Sequence, residues 1–234
     1  MAQLALDLLE SPPPSLENFV AGRNAECLQC LRALADDGRS QRFVYLWGAE
    51  GSGRTHLLTA LAGGGRFLSP ASSPAAFAFD PSCTLYAADD VQLMDAERQQ
   101  ALFHLFNQVR ASSDAALVSS GPQPPLALAL REDLRSRLGW GLVFELQLLD
   151  DDDKASALRG LAAQRGVALA ADVLPWILTH RSRDIRMLLA EFDAIDRYAL
   201  ACKRPITLAL VRDWLAREPG GPDLGPGSAT DKML

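Results

Sequence analysis

Residues 43–61 read Phe43-Val44-Tyr45-Leu46-Trp47, then Gly48-Ala49-Glu50-Gly51-Ser52-Gly53-Arg54-Thr55, then His56-Leu57-Leu58-Thr59-Ala60-Leu61. An apolar run, a glycine-rich loop and a helix-forming run follow one another, and this is the context that a phosphate-binding loop requires. Glycine reaches backbone angles that other residues avoid, so Gly48, Gly51 and Gly53 let successive N–H groups point at one anion. The stretch therefore predicts a strand, a nucleotide-binding loop that includes Ser52, and a helix; an ordinary glycine turn is the alternative.

Arg54 occupies the position where the phosphate-loop pattern has lysine, and the next residue, Thr55, has a hydroxyl that can bind a magnesium ion. The planar guanidinium of arginine binds phosphate but places its charge differently from the compact ammonium of lysine. The substitution is compatible with nucleotide binding but disfavours efficient hydrolysis of the nucleotide by the chain itself. It indicates a regulator built on the scaffold of a nucleotide hydrolase.

The composition fits one globular unit with a small appended domain: there are 234 residues, of which 48% are hydrophobic and 22% are charged. The net charge of −6 disfavours a dedicated DNA-binding domain, which usually has a basic surface. No apolar run approaches the roughly 18 residues of a transmembrane helix, and the N-terminus lacks the pattern of a signal peptide. We therefore expect a cytoplasmic protein without membrane contact.

The four cysteines and three histidines are too scattered to predict a disulfide scaffold, a metal cluster or a catalytic dyad. Cys27 and Cys30 have the spacing of half a zinc site, but no second pair lies nearby in the sequence. We expect reduced thiols that are partly buried.

Strand-like and helix-like runs alternate as far as Asp150 and predict an α/β fold, a parallel five-stranded sheet covered by helices on both faces. The predicted strands are 43–47, 66–68, 84–88, 115–118 and 142–146, and the predicted helices are 24–37, 54–62 and 94–111. Residues 70–82 are predicted to be a loop or an irregular insertion. The long helix places four apolar residues on one face, Leu102, Leu105, Phe106 and Val109.

Beyond Asp150 the pattern predicts only helices and therefore a small all-α domain. The predicted helices are 152–165, 170–180, 182–201 and 207–217. The clearest apolar stripe consists of Ile185, Leu188, Leu189, Phe192 and Ile195.

Asp89 and Asp90 end the predicted third strand and can form the second half of a nucleotide site. The first carboxylate would hold magnesium, and the second would orient an attacking water. Alone, such a pair is more often a turn that ends a strand, but here it follows the glycine loop by one strand. Ser119 or Ser120, at the end of the next strand, would touch a terminal phosphate or position water; a simple turn residue is the alternative.

Taken together, these features resemble an AAA+ ATPase module: a phosphate loop, an Asp-Asp strand, a serine-tipped strand, the run Ser136-Arg137-Leu138 and a helical lid. The segment Glu17-Asn18-Phe19-Val20-Ala21-Gly22-Arg23-Asn24 is similar, more narrowly, to a segment of the bacterial initiator DnaA that lies against the nucleotide base. The resemblance runs from Leu16 to Leu215 and implies that Phe19 and Val20 contact the base.

The chain departs from the DnaA pattern at both ends, since we expect neither its C-terminal helix-turn-helix domain nor its N-terminal oligomerisation domain. The N-terminal run Gln3-Leu4-Ala5-Leu6-Asp7-Leu8 resembles instead the peptide that docks into the bacterial sliding clamp. An extended segment would present Leu6 and Leu8 to an apolar pocket while Gln3 supplies a directed hydrogen bond; a strand or a frayed tail is the alternative. A clamp peptide on a DnaA-like body is the layout of the Hda family of regulatory inactivators of DnaA, which commonly carry arginine in the lysine position.

This resemblance implies roles for two arginines, each of which has a solvated surface arginine as its alternative. Arg137 would be an arginine finger, exposed at the edge of the module, that acts on the ATP of a neighbouring subunit. Arg186 would be the lid arginine that contacts nucleotide in its own chain. The implied cofactors are ADP, or ATP, and Mg²⁺ held by Thr55 and Asp89.

The implied function is negative regulation of replication initiation: an ADP-bound adaptor, tethered to the clamp, stimulates hydrolysis of DnaA-bound ATP and has little or no ATPase activity of its own. The implied partners are DnaA, the DNA polymerase III sliding clamp and a further copy of the chain, with DNA reached only through the clamp. Two rivals remain, an autonomous AAA+ motor such as a clamp or helicase loader, and an adaptor that only tethers DNA. The expected layout is a clamp peptide at 1–10, a proline-rich spacer at 11–15, a nucleotide-binding domain at 16–150, a helical lid at 151–217 and a disordered tail at 218–234.

Overall fold

The computed structural model describes residues 13–36, 41–181 and 184–217. The clamp-peptide prediction for residues 1–10 and the tail prediction for residues 218–234 lie outside the described residues. The chain divides into two compact units, an α/β unit that ends at Asp150 and a helical unit that continues from Asp151.

The α/β unit is built on a five-stranded parallel sheet, which confirms the predicted fold class. Its strands are β1 (Phe43–Gly48), β2 (Arg66–Leu68), β3 (Leu85–Ala88), β4 (Ala116–Gly121) and β5 (Leu142–Leu146). The order across the sheet is β2-β3-β4-β1-β5. All residues of β3 and β4 are buried, as expected for inner strands of a sheet that is covered on both faces.

The helices of this unit are α1 (Ala25–Ala35), α2 (Arg54–Ala62), α3 (Ala96–Ala111) and α4 (Glu132–Leu138). Short 3₁₀ turns occupy Gly22–Asn24, Pro74–Phe77, Val91–Leu93 and Pro125–Ala127. Within the described residues of the whole chain, no helix is both long enough and apolar enough to cross a membrane.

Helices cover both faces of the sheet, and strand β1 contributes to the core on each face, since successive residues of a strand point to opposite sides. In β1, Val44 and Leu46 pack in the core that α1 and α2 form, whereas Tyr45 packs on the opposite side with α3 and α4. This second core buries the apolar face predicted for α3, which consists of Leu102, Leu105, Phe106 and Val109.

The helical unit has a core of its own, formed by α5 (Asp151–Gln164), α6 (Val173–His180), α7 (Ile185–Cys202) and α8 (Leu208–Leu215). The predicted stripe lies on α7 and faces this core, where three of its residues are buried and two are half-buried: Leu188, Phe192 and Ile195, then Ile185 and Leu189. A single core shared by four helices explains why the helical pattern in this half of the sequence is so regular.

Side chains fix the beginning of three helices. Asp95, Asp184 and Thr207 each accept a hydrogen bond from a backbone N–H in the first turn of the helix that follows, which is α3, α7 and α8 respectively. Such caps satisfy donors that the first helical turn leaves unpaired. They set the first residues of α3 and α7 a few positions later than the sequence pattern predicted.

The structure differs from the predicted elements mainly in short segments. The helix α4 was not predicted, because two turns are too short to show a helical period. The 3₁₀ turn Pro74–Phe77 lies in a stretch predicted to be a loop, and buries Phe77. The fourth strand extends to Gly121, so Ser119 and Ser120 belong to β4 and lie just before its end.

Phe106 provides a test of the α3 side of the sheet. Its side chain is 2% exposed and its ring stacks on that of Phe43, with 4.3 Å between centroids. Phe106→Ala should lower the free energy of unfolding of the α/β unit by about 3–5 kcal/mol, because it leaves a cavity that the surrounding core cannot fill. Urea unfolding followed by circular dichroism measures the change. Leu126→Ala is the control, since Leu126 is 79% exposed; equal stabilities of the two variants would contradict this account of the core.

Candidate functional site

The loop between β1 and α2 has the backbone of a phosphate-binding loop. Gly53 directly precedes α2 with φ of +94°, a region that favours glycine. The ring of Phe19 lies against it, so a Cβ on Gly53 would come within 2.6 Å of Cε2 of Phe19. Gly53 has no side chain to cap α2, and the first N–H groups of the helix are left as donors for an anion.

Two polar side-chain atoms, one at the end of this loop and one on the first residue of α2, are buried without a hydrogen-bond partner among the described residues. They are Oγ of Ser52, a residue that is 6% exposed, and Nη1 of Arg54. Leaving a buried polar group unpaired costs about 1–3 kcal/mol, and more for a charged group. A bound anion at the N-terminus of α2 would supply the acceptor that both donors lack.

The structure brings the predicted carboxylate pair and Ser120 together. Asp89 is 3% exposed, and its Oδ1 accepts hydrogen bonds from Oγ of Ser120 and from the backbone N–H of Asp90. Asp90 follows with φ of +48°, which is rare outside glycine. These residues meet because β3 and β4 are parallel neighbours, and the carboxyl ends of parallel strands lie at one edge of the sheet.

Arg54 connects the phosphate loop with this pair. Its Nη2 lies 3.8 Å from Oδ1 of Asp90, and its side chain is only 13% exposed. Gln92 also donates from Nε2 to the same oxygen of Asp90, at 3.1 Å. The residue that replaces the usual lysine thus forms an ion pair with the second carboxylate of the predicted site.

Two residues near Arg54 and Asp90 were not predicted from the sequence as part of this site, Tyr45 and Gln92. Tyr45 is fully buried in β1 and donates its hydroxyl hydrogen to the carbonyl of Gln123 at 2.9 Å. Burial raises the pKa of Tyr45 above its usual value, against the nearby charge of Arg54, so the phenol stays neutral. A polar ring in the middle of an otherwise apolar strand was the one signal that could have identified Tyr45.

The segment that precedes α1 packs on the phosphate loop. Phe19 is half-buried, and its ring is tilted against that of His56 with 5.5 Å between centroids. His56 in turn contacts the carbonyl of Ser15 through Nε2 at 3.0 Å. Val20 is half-buried beside Phe19. Contact of these two residues with a nucleotide base stays a prediction.

Arg137 lies near the C-terminal end of α4, and its guanidinium lies over the ring of Trp140, 4.8 Å from the ring centre. Arg110 approaches the same ring at 5.1 Å. We expected an exposed arginine, and this expectation was wrong. Arg137 is half-buried, with an Nε that is shielded and has no hydrogen-bond partner in the described parts of the chain, because its side chain packs on Trp140.

Arg186 belongs to the helical unit, at the beginning of α7. Its guanidinium pairs with the carboxylate of Asp184, with Nη2 and Oδ2 2.8 Å apart, and its side chain is 63% exposed. The hydrogen bond raises the pKa of Arg186 and lowers that of Asp184. Contact of Arg186 with nucleotide stays a prediction.

The magnesium site expected at Thr55 and Asp89 does not fit this arrangement. One oxygen of Asp89 is already engaged by two donors of the chain, and a guanidinium stands beside Asp90. Thr55 is exposed on the first turn of α2.

The cysteines are free thiols, as expected from their spacing. Cys27 is buried on α1 and burial raises its pKa to about 12, so it does not form a reactive thiolate at neutral pH. Cys30 and Cys83 are half-buried, and Cys202 is exposed.

Comparison with protein families identifies two matches, one in each unit. Residues 82–145 match the bacterial DnaA ATPase domain, and residues 151–215 match the lid domain of Hda. A Haemophilus influenzae protein that is described as uncharacterized is 32% identical over 226 residues, which cover 90% of this chain and 96% of that protein.

Solved structures with a similar fold include two of DnaA. Domain III of the Thermotoga maritima replication initiation protein DnaA has a TM-score of 0.63 and 20% identity, covering 88% of this chain and 96% of that one. AMPPCP-bound DnaA from Aquifex aeolicus has a TM-score of 0.62 and 23% identity, covering 81% of this chain and 67% of that one. At these identities the likeness shows the fold.

Gly53 provides a test of the loop geometry. Gly53→Ala should destabilise the α/β unit by roughly 1–3 kcal/mol, because the positive φ disfavours any Cβ and the new atom would meet the ring of Phe19. Thermal and urea unfolding measure the effect. Gly64→Ala is the matched control, because a Cβ at Gly64 would meet no atom within 4 Å. A Gly53→Ala protein as stable as the Gly64→Ala protein would show that the loop has a different backbone.

Proposed function

Since the chain belongs to the DnaA-related AAA+ proteins of the Hda type, we propose that it is a regulator of replication initiation that stimulates hydrolysis of the ATP bound to DnaA. Three parts of the chain would act in this function. The glycine loop holds a nucleotide, Arg137 acts on the nucleotide of a partner, and residues 1–10 tether the chain to the sliding clamp.

The nucleotide is proposed to be ADP, bound by its phosphates at Ser52, Gly53 and Arg54. The unpaired Oγ of Ser52 and Nη1 of Arg54 support this, because both are donors and both are buried at the beginning of α2. A related fold in the AMPPCP-bound DnaA of Aquifex aeolicus supports a nucleotide in general. Phe19 and Val20 would lie near the base, and Arg186 would approach from the lid.

The chain is proposed to hydrolyse little or no ATP by itself. Both carboxylates that could activate water have partners inside the protein: Asp89 is bonded to Ser120, and Asp90 to Gln92 and Arg54. A carboxylate oxygen that already accepts these hydrogen bonds is less accessible to an attacking water. An autonomous motor, such as a clamp or helicase loader, is the rival, and it predicts steady ATP turnover by the isolated chain.

The packing of the Arg137 guanidinium on the ring of Trp140 is the single observation that carries the proposed action on DnaA. Arg131, just before α4, pairs with Asp133 at 2.8 Å, whereas Arg137 is held by the ring of Trp140 and keeps an Nε without a hydrogen-bond partner in the described residues. An aromatic ring holds a guanidinium in place without neutralising its charge. An arginine held in this way loses little side-chain entropy when it enters the ATP site of a partner.

Arg137→Ala should abolish stimulation of DnaA. An arginine supplied to the transferring phosphoryl group contributes about 10³–10⁵-fold in rate in related systems, so the stimulated rate should fall to near the rate of DnaA alone. The assay follows conversion of radiolabelled ATP to ADP on DnaA, with and without DNA-loaded clamp. Arg137→Lys should rescue poorly, because an ammonium lacks the planar fork.

Arg135→Ala is the matched control for this assay, because Arg135 lies on the same helix two positions away and should matter much less. Circular dichroism checks that each variant keeps the fold. Stimulation at the wild-type rate by Arg137→Ala would rule out the proposed action of this arginine.

The N-terminal run is proposed to bind the sliding clamp through Gln3, Leu4, Leu6 and Leu8. Leu6→Ala with Leu8→Ala should weaken clamp binding by about 2 kcal/mol or more, because a buried leucine contributes roughly 1.5–3 kcal/mol. Titration by calorimetry or surface plasmon resonance measures the change. Leu9→Ala is the control, being an apolar residue of the same segment outside the motif. Unchanged affinity of the double variant would remove the clamp from the proposed function.

A further inference from the structure

The ion pair between Arg54 and Asp90 suggests how this site binds nucleotide. In phosphate loops with lysine, a magnesium ion bridges the phosphates and the carboxylate that ends the neighbouring strand. We propose that in this chain the guanidinium of Arg54 replaces that ion, so that a nucleoside diphosphate binds without a divalent cation. This inference rests on the nucleotide binding proposed above and adds the ionic requirement of the site.

One nitrogen of the Arg54 guanidinium faces a carboxylate, and the other has no partner among the described residues. Its Nη2 faces Oδ1 of Asp90 at 3.8 Å, while its Nη1 is buried and has no partner among the described residues. A guanidinium is planar and has five N–H donors, so one edge can serve a carboxylate while another serves a phosphate. A lysine ammonium has three donors on one nitrogen and no planar edges, so it cannot present a separate pair of directed donors to each of the two partners.

The loop also provides a second donor for the same anion. Ser52 is buried, and its Oγ has no partner in the described parts of the chain. Ser52 lies in the loop and Arg54 is the first residue of α2, where the first N–H groups and the helix dipole favour negative charge. The phosphates therefore have a hydroxyl, a guanidinium and backbone donors available without any metal.

The carboxylates on the other side of the bridge are poorly arranged for magnesium. Magnesium requires near-octahedral oxygen ligands at about 2.0–2.1 Å. Asp89 accepts from Ser120 and from the backbone of Asp90, and Asp90 accepts from Gln92.

A diphosphate suits such a site better than a triphosphate. The terminal phosphate of ATP brings additional negative charge, and Arg54 is already partly neutralised by Asp90. The bridge thus explains in charge terms why ADP would be the retained nucleotide.

Isothermal titration of the full-length chain with ADP, in buffer with MgCl₂ and in buffer with excess EDTA, tests the inference. The dissociation constant should change by less than about threefold between the two buffers. A weakening of about tenfold or more in EDTA would overturn the inference and leave the proposed nucleotide binding intact. Failure to bind ADP in either buffer would contradict the nucleotide site itself and, with it, the inference.

Arg54→Lys separates the guanidinium from its charge. This variant keeps the positive charge but loses the bridge, so its ADP affinity should be weaker in EDTA than in MgCl₂ by about tenfold or more. Thr55→Ala should have the same effect in both buffers, because Thr55 would hold no metal. Metal-independent binding by Arg54→Lys, or a Thr55→Ala defect confined to the magnesium buffer, would each overturn the inference.

Discussion

The parallel pairing of β1 on both of its sides is the constraint on which the site depends. Trp47 lies opposite Gly121 of β4, and the next residue, Gly48, lies opposite Leu146 of β5. A shift of β1 by one residue would turn its buried face to the other side of the sheet, so the register is strongly specified. Parallel strands end at one edge, and the glycine loop therefore begins beside the ends of β3 and β4. The backbone is close-packed here, since a Cβ on Gly48 would lie 2.5 Å from the carbonyl oxygen of Leu146.

The acidic side chains at this edge have partners inside the protein. Two adjacent carboxylates, Asp89 and Asp90, lie at the end of a fully buried strand, and such groups are costly unless they are paired or hydrogen-bonded. Ser120, Gln92 and Arg54 supply those partners. Since the same guanidinium would contact a phosphate, the charge that pairs with Asp90 would also recognise the ligand.

The two arginines that we propose to contact phosphates are held in opposite ways. Arg54 is paired with a carboxylate, and its charge is largely committed to its own site. Arg137 rests on the ring of Trp140, and an aromatic surface leaves the charge of the guanidinium uncompensated. A protein that retains its own nucleotide and acts on that of a partner needs one arginine paired within its own site and another whose charge is uncompensated. An autonomous motor would need the opposite one, with a free carboxylate in its own site to activate water.

Elements with local signals were predictable from the sequence. It gave the extents of β2 and β5, the buried face of α3, the stripe on α7 and the candidate loop, because periodicity, glycine spacing and chain order are properties of neighbouring residues. The seven residues of α4 were missed, since two turns are too few to show a period.

The contacts between side chains of the site arise only from the packing of the folded chain. The contact of Arg54 with Asp90, the position of Tyr45 and the ring of Trp140 beneath Arg137 follow from the strand order β2-β3-β4-β1-β5 and from the packing of α4. None of these contacts has a signal in a local pattern, because residues far apart in the sequence become neighbours only when the sheet has formed. The sequence thus identified the candidate groups of the site, and the packing of the sheet determined their electrostatic partners.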